Sequence, residues 1–257
     1  MTAAGSVVGV PVLGPLGLPE SIRAALFDLD GVLTRTATVH FAAWKRTFDE
    51  FLQRFHPGQP EFSQLDYNRF VDGKHRADGV RGFLASRGIT LPEGAPGDPP
   101  DAATVQAIAT RKNDMVLAEL DEHGVEVYPG SVRYLRAVKD AGLATAVVTA
   151  SANGEKVIAA GGFADLIDVR VDGLTAARDG LRGKPEPDTF LAAARLLGVE
   201  PADAVVYEDA ISGVQAGRTG KFGYVVGVDR VGQADALEAH GADVVVTDLE
   251  QLAGGPA

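Results

Sequence analysis

Five short apolar runs mark the chain, at Ala24 to Phe27, Ala144 to Val148, Ala204 to Tyr207, Tyr224 to Val228 and Val244 to Val246. They are continuous rather than alternating, the pattern of parallel strands buried on both faces. Between the later runs lie stretches of helical character, Ser131 to Ala141, Gly154 to Ala160, Asp188 to Leu197 and Ile211 to Arg218. The resulting βαβα order predicts an α/β fold built on a doubly wound parallel sheet.

The first strand is not followed by a short crossover. Alternation resumes only after the segment Thr34 to Val127, which is too long for a loop in a compact fold and implies an inserted domain. Its opening places Phe41, Trp44, Phe48, Phe51, Leu52 and Phe55 at helical spacing, an amphipathic stripe expected to form core. A second helix is predicted near Ala77 to Arg87 and a third from about Ala102 to Glu122, joined by the Pro- and Gly-rich loop Thr90 to Pro100. The expected organisation is a flexible N-terminal tail over 1–21, a core from 22–35 and 126–257, and an all-α cap over 36–125.

Composition narrows the chemistry. The 257 residues carry 24 Lys and Arg against 35 Asp and Glu, for a net charge of -11, and contain no cysteine. Disulfide frameworks, zinc ribbons, iron–sulfur clusters and thiol catalysis are thereby excluded, so any metal must be held by oxygen or histidine. The acidic balance argues against a nucleic-acid surface. No run approaches the roughly 20 apolar residues needed to span a bilayer. The Met1 to Pro19 segment lacks the positive n-region of a signal peptide. The expected protein is a cytoplasmic monomer whose partner is a small molecule, with neither a membrane nor a nucleic acid. There is no Walker loop: Gly220-Lys221 is followed by Phe222 where a hydroxyl would be needed.

Carboxylates directly after a buried strand call for a reason. The first run ends in Asp28-Leu29-Asp30-Gly31, and in open α/β sheets ligands bind at the carboxyl ends of the strands. Thr149 closes another run, Lys184 precedes a helix start in Gly183-Lys184-Pro185, and Glu208-Asp209 follow a third. On a parallel sheet all converge on one edge. Asp28, Asp30, Glu208 and Asp209, without histidine or cysteine, suit a hard cation with oxygen ligands, Mg²⁺ above all, and Thr149 and Lys184 would grip a phosphoryl group. The implied chemistry is phosphoryl transfer through an aspartyl phosphate, one carboxylate attacking phosphorus and a second exchanging a proton with the leaving or attacking oxygen. Taken singly each residue has a bland reading: a solvated lysine, a strand-end hydroxyl, a helix N-cap pair.

The segments Asp28-Leu29-Asp30-Gly31-Val32-Leu33-Thr34, Thr149, Lys184-Pro185 and Glu208-Asp209 resemble the four motifs of the haloacid dehalogenase superfamily. More narrowly, Thr36-Ala37, His40-Phe41, Ala43-Trp44-Lys45, Arg111-Lys112-Asn113-Asp114, Tyr128-Pro129-Gly130, Ala150-Ser151 and Asn153-Gly154 are similar to its β-phosphoglucomutase branch, over about Arg23 to Val228. The resemblance implies Asp28 as nucleophile and Asp30 as general acid/base. It implies Mg²⁺ held by Asp28, the Asp30 backbone carbonyl, Glu208 and Asp209, and the transferring phosphate held by Thr149 and Lys184. His40, Trp44, Arg76, Lys112, Ser151 and Asn153 are the substrate-binding residues it suggests, with Arg76 on the distal phosphate. The implied reaction interconverts β-D-glucose 1-phosphate and glucose 6-phosphate through glucose 1,6-bisphosphate, which also serves as primer.

Apart from the resemblance, Lys112 interrupts an apolar stripe between Ile108 and Val116, which a merely solvated lysine would avoid. His40, one turn before Trp44, suits helix packing as well as catalysis, and Arg76 within Gly73-Lys74-His75-Arg76 suits a surface as well as a dianion. The chain departs from the branch at Ala152 in place of a lysine, Asp72 in place of a basic cap residue, Arg35 in place of an acid, and in a longer Thr90 to Pro100 loop. A sugar-phosphate phosphatase with the same nucleophile is the main alternative. A phosphoacceptor receiver domain and a silent binding module are the other readings.

Overall fold

In the computed structural model, which describes residues 14–254, the core begins with β1 (Ala24–Phe27). The chain then leaves the sheet for α1 (Thr36–Phe55), α2 (Gln64–Asp66, continuing as a wider turn over Tyr67–Val71), α3 (Arg76–Ser86) and α4 (Val105–His123). It returns through α5 (Pro129–Asp140), β2 (Ala144–Val148), α6 (Gly154–Ala160), β3 (Val169–Val171), α7 (Gly173–Asp179) and α8 (Asp188–Leu197). It ends with β4 (Ala204–Glu208), α9 (Ile211–Thr219), β5 (Tyr224–Val228), α10 (Ala234–Ala239) and β6 (Val244–Val246). Residues 1–13 of the expected tail lie outside the described residues; within its remainder Leu18 is buried in the core.

The strands form a six-stranded sheet in the order β3-β2-β1-β4-β5-β6, every neighbouring pair parallel. The doubly wound parallel sheet expected from the apolar runs is therefore present. Successive side chains of a strand point to opposite faces, and both faces are covered. Ala25, Phe27, Val147, Val205, Tyr207 and Val226 pack on one side with Leu135, Val138 and Val157. Leu26, Ala146, Val148, Val206 and Val225 pack on the other with Phe190 and Val214. Phe27 and Tyr207 are register partners whose rings stack 4.4 Å apart, and the Tyr207 hydroxyl lies 2.9 Å from that of Tyr134.

The inserted helices have a core of their own, in which Trp44, Phe48, Phe51 and Leu52 of α1 meet Phe62, Val80, Phe83 and Ile108. Trp44 and Phe48 stack at 4.9 Å. The stripe read from the sequence holds except at its end: Phe55, the last residue of α1, is 40% exposed. The sequence pattern missed α2 with the Tyr67–Val71 turn, β3, α7 and α10, and β4 includes Glu208, one residue beyond its apolar run. Among the described residues no helix is long and apolar enough to cross a membrane.

The sheet order fixes where chemistry can occur. From β1 the chain builds outward through β2 and β3, then crosses back to β4, so strand order reverses between β1 and β4. That switch point opens a crevice at the carboxyl ends of the two strands. Asp28 follows the last residue of β1, and Glu208 is the last residue of β4.

Candidate active site

Asp28 is 5% exposed and Glu208 fully buried, and both face Lys184, whose Nζ lies 2.5 Å from Asp28 Oδ1 and 2.5 Å from Glu208 Oε1. The lysine also donates to the Val148 carbonyl at the end of β2, at 3.2 Å. Burial alone would strip Lys184 of its proton, but Asp28 and Glu208 overcome this and hold its pKa above the ordinary lysine value. Burial pushes Asp28 upward, and repulsion from Glu208 and Asp30 adds to it against the pull of Lys184.

Asp209 completes a group with Asp28 and Glu208 in which carboxylate oxygens lie within 4.8 Å of one another. Its approach depends on Gly31, at φ 89°: a Cβ there would sit 1.8 Å from Asp209 Oδ2. Asp209 is also pushed up by burial, then by Asp72, Glu208 and Asp28. Three buried carboxylates faced by one lysine leave excess negative charge, and an oxygen-liganded divalent cation fits such a donor set. The Asp30 carboxylate does not belong to this group, so the contribution expected of Asp30 is its main-chain carbonyl alone.

The Asp30 side chain is turned to a different set of partners. Its Oδ1 accepts from the Thr36 hydroxyl and lies 3.2 Å from His40 Nε2, while Oδ2 accepts from Thr149 Oγ1 at 3.1 Å. Burial would raise this carboxyl, but His40, Thr36 and Lys112 outweigh it and hold Asp30 well below the usual carboxylate range. Behind His40 stands Lys112, its Nζ 2.5 Å from His40 Nδ1 and 5.0 Å from the Trp44 ring centroid. His40 and Trp44 are four residues apart on α1 and so share one helical face, against which α4 lays Lys112. Burial, then Lys112, keeps His40 below its ordinary pKa. Burial drives Lys112 itself down to about 7, Arg76 adding to the effect and Asp30 opposing it.

One cavity is bordered by Asp28, Asp30, His40, Trp44, Arg76, Lys112, Thr149, Ser151 and Asp209. Residues from the strand ends and the inserted helices, far apart in sequence, thus meet in one place. Asn153 does not border the cavity itself; its Nδ2 donates to Oδ1 of Asn113 on α4, which does, at 3.1 Å. Ser151 receives the Asn153 amide on its hydroxyl, and its own amide donates to Thr149 Oγ1. Across the seam, Ser212 Oγ donates to the Asp72 carbonyl at 2.9 Å, so the helical insert rests directly on the core. Arg35 points elsewhere, pairing with Glu126 at 2.9 Å and stacking over Tyr128.

Several cavity residues carried no assigned role in the sequence reading: Tyr67, Asp72, Lys74 and Asn113, together with Thr36 on Asp30. Thr36 and Asn113 stand in segments that the sequence singles out, Lys74 in its basic cluster and Asp72 among its departures, whereas Tyr67 carries no mark there. Only the packing of insert on core shows which way these side chains face.

The sequence model of the haloacid dehalogenase-like hydrolase family matches residues 22–220. A β-phosphoglucomutase of Mycobacterium tuberculosis is 52% identical over 248 residues, spanning 92% of this chain and 94% of its own. Hexitol phosphatase A of Escherichia coli is 30% identical over 236 residues, spanning 90% and 93%. Among solved structures, a β-phosphoglucomutase from Clostridium difficile superposes with a TM-score of 0.72 at 26% identity, over 90% of this chain and 93% of that one.

Proposed function

Since the chain belongs to the haloacid dehalogenase-like hydrolase family, we propose that it is a Mg²⁺-dependent phosphomutase. It would interconvert β-D-glucose 1-phosphate and glucose 6-phosphate through an aspartyl phosphate and glucose 1,6-bisphosphate, acting as a cytoplasmic monomer. The observation that carries this reading is the covered nucleophile position: Asp28, nearly inaccessible, held by Lys184 beneath helices that bring His40 and Lys112 to Asp30. A carboxylate that must pass a phosphoryl group to a sugar rather than to water needs such cover.

In this reading Asp28 Oδ attacks the phosphorus of the bisphosphate and the bond to the sugar oxygen breaks. On priming, a proton taken up from solvent passes through Asp30 to the leaving oxygen; in the return step Asp30 takes one from the attacking sugar hydroxyl and holds it for the next leaving oxygen. In the substrate-free site the low pKa of Asp30 gives the ionised form, which accepts that proton. His40 and Lys112, by favouring the ionised form, set how readily the proton is given back. Thr149 and Lys184 hold phosphoryl oxygens, and Lys184 keeps Asp28 aimed. Asp28, the Asp30 carbonyl, Glu208 and Asp209 would hold Mg²⁺, which supplies charge neutralisation at the transferring phosphoryl oxygens. Arg76 and Lys112 supply cationic charge for the sugar's other phosphate.

The assay follows glucose 6-phosphate and inorganic phosphate in parallel after mixing protein, Mg²⁺, β-D-glucose 1-phosphate and a trace of glucose 1,6-bisphosphate. Stoichiometric glucose 6-phosphate without phosphate release is the expected result. Phosphate release without isomerisation would instead make the protein a sugar-phosphate phosphatase, an activity named for one of its relatives.

A further inference from the structure

Asp72 is an acid on a cavity whose other charged lining includes Lys74, Arg76 and Lys112. It borders the same cavity as Asp28, Asp30, Arg76 and Lys112, and the Tyr67 hydroxyl sits against its carboxylate. A carboxylate repels a phosphate and, when ionised, only accepts hydrogen bonds. Among the groups of a sugar phosphate, the hydroxyls alone can donate to it.

The main chain at Asp72 is held on both sides. The Asp72 amide donates to the Tyr67 carbonyl at 2.9 Å, and its own carbonyl receives Ser212 Oγ. The next residue, Gly73, has φ 69°, and a Cβ there would meet Ser212 Oγ at 2.5 Å and Ala210 Cβ at 3.2 Å. The Asp72 main chain is thus fixed by insert and core together, at the edge of the cavity they share. The cationic side chains Lys74, Arg76 and Lys112 border the same cavity and favour a phosphate there.

We propose that Asp72, supported by Tyr67, is a specificity-determining residue that accepts a hydrogen bond from a ring hydroxyl of the sugar. The proposal rests on the sugar-phosphate reading above and adds to it the class of group recognised. A site built to bond a hydroxyl rejects the analogue lacking it far more strongly than an apolar pocket rejects a missing methylene. One member of a deoxy series should therefore be turned over poorly by the wild-type protein, and Asp72 should be the reason.

The test compares kcat/KM for β-D-glucose 1-phosphate and for its 2-deoxy, 3-deoxy and 4-deoxy analogues in wild type, Asp72→Ala and Asp72→Asn. The ratio of parent to analogue within one preparation cancels any loss of folded enzyme. The expected wild-type ratio is about 100-fold or more for one analogue. Asp72→Ala should bring that ratio to about tenfold or less, chiefly through a raised KM for the parent, and leave the other ratios in place. Asp72→Asn, which keeps an acceptor oxygen without the charge, should fall between. A ratio unchanged in both variants, or one that falls equally for all three analogues, overturns the proposal. So does a wild type that turns over every analogue as fast as the parent. The product channel, glucose 6-phosphate or free phosphate, reports separately on the mutase reading.

Discussion

Lys112 reaches from α4 to place its Nζ 2.5 Å from His40 Nδ1 on α1, the two residues 72 positions apart in the chain. Because His40 in turn faces Asp30, the contact ties the charge state of an inserted helix to the proposed proton-transfer carboxylate.

This tie gives a pH dependence with a definite sign. With its pKa lowered to about 7 by burial, Lys112 should lose its proton in the free protein as pH rises through that value, removing a cation from the proposed phosphate site. Since kcat/KM reports the free enzyme's ionisations, it should fall on the alkaline side of that value, and Lys112→Met should flatten the limb while lowering kcat/KM at acid pH. The same shift acts on folding. With its folded pKa below the unfolded 10.5, Lys112 binds more protons when unfolded, so its contribution favours folding increasingly from about pH 7 to 10.5. Lys112→Met should accordingly be more stable than wild type below pH 7, as read by urea unfolding.

Removing Lys184 should be costly in a different way. Its loss leaves Asp28 and Glu208 facing each other, buried and without a counter-charge. Breaking a buried ion pair by deleting one partner costs about 3–5 kcal/mol. Lys184→Met should lose about that much in denaturant unfolding at pH 7, together with turnover. A stability within 1 kcal/mol of wild type, on the order of a surface change, would contradict the arrangement.

Mg²⁺ should stabilise the folded protein through Asp28, Glu208 and Asp209. At a hundred times its dissociation constant the ion adds about 2.7 kcal/mol, visible as a rise in Tm. Asp209→Asn should raise Tm without metal, by removing one repelling carboxylate, and abolish the Mg²⁺-dependent rise. Gly31→Ala should also abolish it, because the added Cβ occupies the place of Asp209 Oδ2.

How far the sequence carries the reader differs between fold and site. The strands on both sides of β1 were legible because a strand buried on two faces must be apolar throughout, as Ala204 to Tyr207 is. β3 was not, since it is a three-residue edge strand with Arg170 at its centre. Asp28 and Glu208-Asp209 announced themselves as acids ending apolar runs, and strand order then brings them together. The contacts of Asp30 with His40 and Thr149 are of another kind. Thr149 is 119 residues from Asp30, and no periodicity encodes the way α1 and α4 settle on the sheet. Tyr67 is hidden for the same reason, on a wide turn that apolar spacing does not mark, while Asp72 shows in the sequence as an acid in place of a basic residue but not as a wall of the cavity.

In the proposed cycle Asp28 carries the phosphoryl group and, under its cover, passes it to sugar in preference to water. Protein treated with radiolabelled glucose 1,6-bisphosphate and Mg²⁺, quenched in acid and digested, should carry label on the peptide containing Asp28 and none in Asp28→Asn. A chase with unlabelled β-D-glucose 1-phosphate before the quench should move that label into sugar bisphosphate faster than into inorganic phosphate. Label absent from Asp28, or chased to inorganic phosphate at a rate the sugar does not change, would contradict the account.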